Sequence, residues 1–114
     1  MSAAWRASAE AAGRLPVPAG RRSAEVLRHG ALEIRYYAPS GPDAQTPHHR
    51  DEVYVVIRGH GHFVRGAERV PFGPGDVLFV PAKVAHRFED FGGDLALWVM
   101  FYGPPGGEQD NPFL

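Results

Sequence analysis

The feature that most constrains the fold is a regular succession of short apolar runs, separated by turn-forming residues, that begins at Glu25. Runs such as "ALEIRYYAP", "EVYVVIRG" and "VLFVP" are divided by glycine, proline and aspartate. Short strands with this spacing are typical of an all-β sandwich or barrel. The sequence has no βαβ alternation and no repeat of fixed period.

The two ends of the chain differ from this middle part. Residues 1–24 begin with the alanine-rich stretch "SAAWRASAEAA", which predicts a short N-terminal arm that is helical or irregular. Residues 104–114, "PPGGEQDNPFL", are rich in proline and glycine and predict a flexible tail. A chain of 114 residues suits one domain. We therefore expect an arm, a barrel over residues 25–103 and a tail.

Composition narrows the partners and cofactors. The net charge of -1 argues against a nucleic-acid surface, which normally has a basic excess. No apolar run is long enough to span a bilayer and no apolar leader is visible, so we expect a cytoplasmic protein without a membrane partner. The chain has no cysteine, which excludes disulfides and thiolate ligands. Any metal would need imidazole and oxygen ligands, which suit iron, manganese, nickel, copper or zinc.

Three of the predicted strands are apolar on both faces. In "VYVVI", Val53, Val55 and Ile57 alternate with Tyr54 and Val56, and "VLFV" and "LALWVMFY" behave in the same way. A sheet with one solvated face would alternate with polar residues. These strands need a second cover, most easily another subunit, so the sequence predicts a homodimer.

Possible metal ligands lie in "QTPHHRDEVYVVIRGHG", residues 45–61. His48 and Glu52 stand just before and at the start of a predicted strand, and His86 lies on a later strand. A histidine in such a place is often only a polar residue. His60 and His62 also have the spacing of a ligand pair, but we expect them at the surface, with Asp51 a solvated partner of an arginine.

The segment around these residues resembles the first motif of the cupin superfamily. Glu52 is followed by six residues and Gly59, and His48 occupies the place of the second motif histidine. Thr46 stands where the first motif histidine would be. The three-histidine, one-glutamate set of the family is therefore reduced here.

A second segment resembles the second cupin motif, which runs from a Gly-Asp turn through a short apolar strand and a proline to a histidine. Gly75, Asp76, Pro81 and His86 follow this order. The resemblance covers roughly residues 31–103. It implies a small single-domain cupin, that is, a double-stranded β-helix or jelly-roll barrel of two antiparallel sheets.

The resemblance implies that His48, Glu52 and His86 bind one divalent metal ion. Two histidines and one carboxylate also form non-haem iron sites with open positions. Water or Gln45 would complete the shell. His49 is a weaker candidate, because neighbouring residues on an extended strand point to opposite faces.

Alternation along the strands predicts the pocket. If Glu52 and His86 point inward, the pocket is apolar and aromatic apart from the ligands. Its expected members are Ile34, Tyr36, Tyr54, Val56, Phe88 and Trp98, although the sequence leaves the parity of the last strand open. Such a pocket suits a small, largely apolar or aromatic organic molecule with one metal-binding oxygen group.

The implied function is a metal-dependent enzyme, dioxygenase-like or isomerase- or lyase-like. A divalent ion would polarise an oxygen group of the substrate or activate water. Glu52 is the candidate base, and Tyr54 or Tyr36 could donate a proton. The alternative is a non-catalytic cupin that binds or senses a small molecule without metal.

Overall fold

The computed structural model of the chain describes residues 6–43 and 45–109. Within these ranges it contains one short helix and eight strands: α1 (Ala9–Ala12), β1 (Ala24–His29), β2 (Leu32–Tyr37), β3 (Asp51–Arg58), β4 (Gly61–Arg65), β5 (Glu68–Phe72), β6 (Val77–Val80), β7 (His86–Glu89) and β8 (Ala96–Tyr102). No helix in the described ranges has the length and apolar character needed to cross a membrane.

The strands form two antiparallel sheets. The larger sheet has the order β1-β2-β8-β3-β6, and the smaller has the order β5-β4-β7. Strands distant in sequence become neighbours, since β8 lies between β2 and β3. This jelly-roll arrangement confirms the all-β prediction.

The main core lies between the sheets. Tyr54 and Leu97 of the larger sheet pack with Phe63 and Phe88 of the smaller sheet. The Tyr54 and Phe88 rings meet edge to face, with centroids 4.9 Å apart, an arrangement that aromatic pairs favour. Tyr54 and Val99 belong both to this core and to the lining of the cavity described below. The core therefore forms the floor of the site.

The strand register fixes which side chains of the larger sheet point inward. Arg35 of β2 is opposite Val99 of β8, which is opposite Tyr54 of β3. The inner face of β2 therefore carries Arg35 and its alternate neighbours, Glu33 and Tyr37. Tyr36 is opposite Trp98, and both lie on the outer face.

The outer face is covered in part by the N-terminal arm. Ala12 of α1 forms a small second core with Tyr36 and Ala96, and Trp98 packs against it. The prediction that Ile34, Tyr36 and Trp98 line the pocket is therefore wrong. Alternation shows only that the apolar face of β2 is covered, and part of the cover is α1 rather than the barrel interior.

Asp51 joins three segments at the start of β3. Its carboxylate is buried and accepts hydrogen bonds from the backbone amides of Ala82, at 2.9 Å, and Glu108, at 2.7 Å. The Gly106 amide donates to the carbonyl of His49. The prediction of a solvated arginine partner is therefore wrong, because Asp51 instead satisfies amides of two neighbouring loops.

Candidate metal centre

His48, Glu52 and His86 converge between the two sheets. Each offers a ligand atom within 4.8 Å of those of the other two residues. The Glu52 Oε1 atom is 3.1 Å from His86 Nε2 and 3.7 Å from His48 Nε2. Glu52 comes from β3 of the larger sheet and His86 from β7 of the smaller, so the two sheets together build the group.

A backbone hydrogen bond links the loop that carries His48 to the loop that leads into β7 and His86. The Lys83 amide donates to the His48 carbonyl at 2.7 Å. Lys83 has a φ of 70°, in the left-handed region that non-glycine residues seldom adopt. The loop before β7 thus turns sharply and is fastened to the loop before β3.

The chemistry of the three side chains fits a cation. Glu52 is 1% exposed, and its Oε1 atom has no hydrogen-bond donor in suitable geometry among the described residues. The Nδ1 atom of His86 donates to the Val84 carbonyl at 3.0 Å, so Nε2 faces Glu52. Fixing one ring nitrogen in this way orients the other for a metal. A buried carboxylate is costly unless it is paired, and a divalent ion would neutralise it.

A chain of hydrogen bonds connects this group to the loop before β3. The Tyr54 hydroxyl lies 3.1 Å from His86 Nε2 and donates to Gln45 Oε1 at 3.0 Å. The Gln45 amide nitrogen donates to Asp43 at 2.9 Å. Because Asp43 accepts only from the nitrogen, the Gln45 oxygen is turned toward the histidines and lies 3.5 Å from His48 Nε2.

Asp43 is a residue of this network that the sequence analysis missed. Its buried carboxylate also accepts from the Phe88 amide at 2.8 Å and from the Tyr37 hydroxyl. In the sequence, Asp43 lies in a turn-rich segment and has the character of a turn residue. Tyr37 follows Tyr36, which the sequence analysis placed in the pocket, so alternation puts Tyr37 on the other face of β2. Only the register of β2 and β8 reveals that the two meet.

Burial controls the protonation of the group. It lowers the pKa of His48, although the nearby Glu52 carboxylate opposes the effect. Burial alone would also lower the pKa of His86, but Glu52 and the Val84 carbonyl raise it overall. Burial, together with Glu52, raises the pKa of Tyr54 well above 10. Tyr54 therefore keeps its proton beside the histidines.

A cavity of about 300 Å³ is lined by His48 and Glu52 of this group. Its apolar wall includes Tyr54, Val99 and Phe101, but Arg21, Arg22 and Arg35 line it as well. The predicted pocket with few charges apart from the ligands is therefore wrong. The segment before β1 reaches the mouth, and Arg35 on the inner face of β2 also lines the cavity.

The remaining predicted residues fall into three groups. Val56 and Phe88 point inward as expected, but they belong to the core beneath the cavity. Tyr36 lies on the outer face and cannot donate a proton in the cavity. His49 and His60 are exposed, and His62 lies 3.2 Å from Asp90, so the structure brings none of these histidines into the group.

The sequence of residues 34–102 matches the Cupin_2 family of cupin domains. This match spans more than half of the chain and includes both the first and the second motif. The chain belongs to the cupin family.

Two relatives share sequence with the chain. An uncharacterized protein of Streptomyces coelicolor, SCO3923, is 37% identical over 82 residues, which are 70% of this chain and 78% of that protein. A glucose-6-phosphate isomerase of Thermococcus kodakarensis is 30% identical over 87 residues, 72% of this chain. The match spans only 46% of the isomerase.

Solved structures share the fold at lower identity. A cupin 2 conserved barrel domain protein of Salinispora arenicola superimposes with a TM-score of 0.63 at 17% identity, covering 90% of this chain and 91% of that one. The structure of FeII HppE gives a TM-score of 0.59 at 18% identity, covering 79% and 57%. Both agree with the two-sheet architecture.

Proposed function

We propose that this cupin domain binds one divalent metal ion through His48, Glu52 and His86 and uses it as an enzyme, dioxygenase-like or isomerase- or lyase-like, on a small organic molecule. The observation that carries the proposal is the buried Glu52 oxygen, which faces two imidazole nitrogens and has no donor in suitable geometry within residues 6–43 and 45–109. A cation neutralises this carboxylate while both imidazoles act as neutral donors.

The composition of the ligand set supports an ion with open positions. Two histidines and one carboxylate leave room for substrate or water on iron, and the same donor types suit manganese, nickel, copper and zinc. The iron of FeII HppE, which shares the fold, supports an ion of this kind. The activity of the isomerase relative, which is longer than the match, carries less weight.

The orientation of Gln45 supports it as a further ligand besides water. Its oxygen faces the histidines because Asp43 accepts from its nitrogen. Gln45 lies one position before Thr46, which replaces the first motif histidine. An amide oxygen is a weaker donor than imidazole, so this shell would bind metal less tightly than one with three histidines.

The side chains around the group have separate roles in the proposed reaction. A bound divalent ion would polarise an oxygen group of the substrate or activate water. Tyr54 holds a proton 3.1 Å from His86 Nε2, and is the proton donor of the proposal. Val99 and Phe101 form an apolar wall that limits water around the substrate. Glu52 would remain a ligand or act as a base.

One observation favours the alternative of a binding or sensing module without metal. His86 lies within 3.1 Å of both Glu52 and the Tyr54 hydroxyl. A protonated His86 could therefore balance the Glu52 charge by itself. In that case the cavity would hold a small molecule without turnover.

Metal analysis of protein purified without chelator tests the proposal. We expect about one ion per chain in the wild type and in His60→Ala, which removes an exposed histidine. His86→Ala should lose the ion and keep its β-sheet circular dichroism, because the apolar core between the sheets supplies most of the stability. Stoichiometric metal in His86→Ala, or none in the wild type, would contradict the proposed metal site.

A further inference from the structure

Arginines gather at the mouth of the cavity in greater number than the proposed metal site explains. Glu33 of β2 is buried, and four guanidinium groups lie within 4.0 Å of its carboxylate. They belong to Arg21, Arg28, Arg35 and Arg50. A fifth, Arg22, also lines the cavity. The chain as a whole has a net charge of -1, so this is a local basic excess.

All three guanidinium nitrogens of Arg35 already donate hydrogen bonds, and these hold the neighbouring segment in place. Its Nε atom donates to the Ser23 hydroxyl and one terminal nitrogen donates to the Ser23 carbonyl, both at 2.6 Å. The other terminal nitrogen donates to Glu33 at 2.7 Å. Arg35 is thus a buried residue whose hydrogen bonds hold residues 20–23 at the mouth of the cavity.

Arg21 and Arg22 lie on this segment, which Arg35 holds in place. Arg21 is 3.9 Å from Glu33, and its side chain is 55% exposed, so much of its hydrogen-bonding capacity faces solvent. Arg22 is exposed and lies beside Tyr37 on the cavity wall. Within residues 6–43 and 45–109, no carboxylate forms a salt bridge with Arg22. These two guanidinium groups can serve a ligand in the cavity.

The charges that oppose these arginines are already engaged. Glu25 pairs with Arg28 at 2.6 Å. Asp43 accepts from the Phe88 amide, Gln45 and Tyr37. Glu52 faces the two histidines and would be neutralised by the proposed metal ion. Five arginines therefore stand against four carboxylates, those of Glu25, Glu33, Asp43 and Glu52, and the proposed ion would add further positive charge. A positive excess of this kind would concentrate small anions.

We propose that the substrate is a small organic anion, whose carboxylate or phosphate group binds Arg21 and Arg22 while a second oxygen group reaches the metal position. This rests on the proposed metal function and names its substrate class. Guanidinium groups bind both kinds of anion through paired hydrogen bonds. A cavity of about 300 Å³ is at the low end for ligand sites, so the molecule is small. An uncharged aromatic substrate would make no use of either guanidinium group.

Isothermal titration of the manganese-loaded protein tests the assignment with three probes. Pyruvate carries a carboxylate beside a carbonyl, methyl pyruvate has the same carbonyl without the charge, and inorganic phosphate is the second anion. The double variant Arg21→Gln/Arg22→Gln removes the mouth charges. Arg14→Gln is the matched control, because Arg14 lies just after α1 and pairs there with Glu10.

We expect the wild type and Arg14→Gln to bind pyruvate or phosphate more tightly than methyl pyruvate. The stronger of the two anions identifies which group the mouth prefers. The double variant should bind that anion roughly tenfold or more weakly, as expected for lost hydrogen bonds to a charged group, with binding of the ester unchanged. Equal affinity of the double variant for the anion, or no preference of the wild type for either anion, overturns the proposal.

Two further measurements separate this inference from the metal function. The metal content of the double variant should equal that of the wild type, because neither arginine is a ligand. The titration is also repeated on metal-free protein. If the wild type takes up no metal but its anion binding still depends on Arg21 and Arg22, the metal function fails and the anion site stands. If metal is bound but replacing the arginines has no effect on anion binding, the anion site fails and the metal function stands.

Discussion

The two faces of the five-stranded sheet are both covered, but by different means. On the inner face of β2, Glu33 and Arg35 are buried as charged residues that pair with each other. On the outer face, Tyr36 and Trp98 pack edge to face beside α1, with ring centroids 6.0 Å apart. The comparison teaches that burial in this sheet does not follow polarity. The polar face points to the cavity and the apolar face points to the arm.

The largest expected effect comes from breaking the charged pair on the inner face. Glu33→Gln leaves the Arg35 guanidinium buried without a counter-charge, and we expect a loss of about 3 kcal/mol in the free energy of unfolding. Ile34→Ala, the next residue on the outer face, should cost about 1 kcal/mol, because Ile34 is only partly buried. Urea denaturation measures both. A smaller loss for Glu33→Gln than for Ile34→Ala would reverse the comparison.

Two adjacent tyrosines, Tyr36 on the outer face and Tyr37 on the inner face, allow the two faces to be compared by removing one hydroxyl group from each. Tyr37→Phe removes a donor to the buried Asp43 carboxylate, which should cost about 2 kcal/mol. Tyr36→Phe removes a hydroxyl that accepts from the exposed Arg58 at 3.2 Å, which should cost about 0.5 kcal/mol. Thermal unfolding of the two variants compares them directly. Similar melting temperatures would argue against an important role for the Asp43 network.

Acid should weaken the inner face selectively. Burial alone would raise the pKa of Glu33, but the hydrogen bond from Arg35 and the charges of Arg28 and Arg50 lower it overall, below its ordinary value of 4.5. A lowered pKa stabilises the fold above the ordinary value, and this contribution is lost as the pH falls through the folded-state value. As the pH falls from about 5 to about 3, the range in which carboxylates take up protons, the wild type should therefore lose more stability than Glu33→Gln. Parallel curves for the two proteins would contradict this.

The last prediction concerns the outer face and the oligomeric state, and it involves the smallest change in stability. The homodimer predicted from the doubly apolar strands stays a prediction. The outer face retains an apolar groove lined by Val26, Leu27, Ile34, Val55, Trp98 and Met100, with Ala7 at its edge. Light scattering at micromolar concentration should give the mass of two 12.5 kDa chains. The mass of one chain would show that α1 covers the outer face sufficiently without a second subunit.

The sequence predicts the fold and the convergence of His48, Glu52 and His86 better than it predicts the walls of the cavity. His48, Glu52 and His86 could be found because motif spacing carries them, and strand order brings them together. The face of β2 that points into the barrel could not be predicted, because alternation in "LEIRYY" identifies two faces but does not assign either one to the interior. Arg22 could not be found either, since its place depends on Arg35 holding Ser23 across the mouth.

The hydrogen bond from Lys83 to the His48 carbonyl has a consequence for assembly of the ligand group. His48 and His86 lie far apart in the sequence, and closing a loop of that length has an entropic cost. Here the barrel core and this loop contact hold the three side chains together without an ion. The proposed ligands would therefore form a preorganised group, in contrast to metal-dependent domains that unfold when the ion is removed. Chelation should therefore be reversible, and the emptied protein should remain folded and accept a different ion.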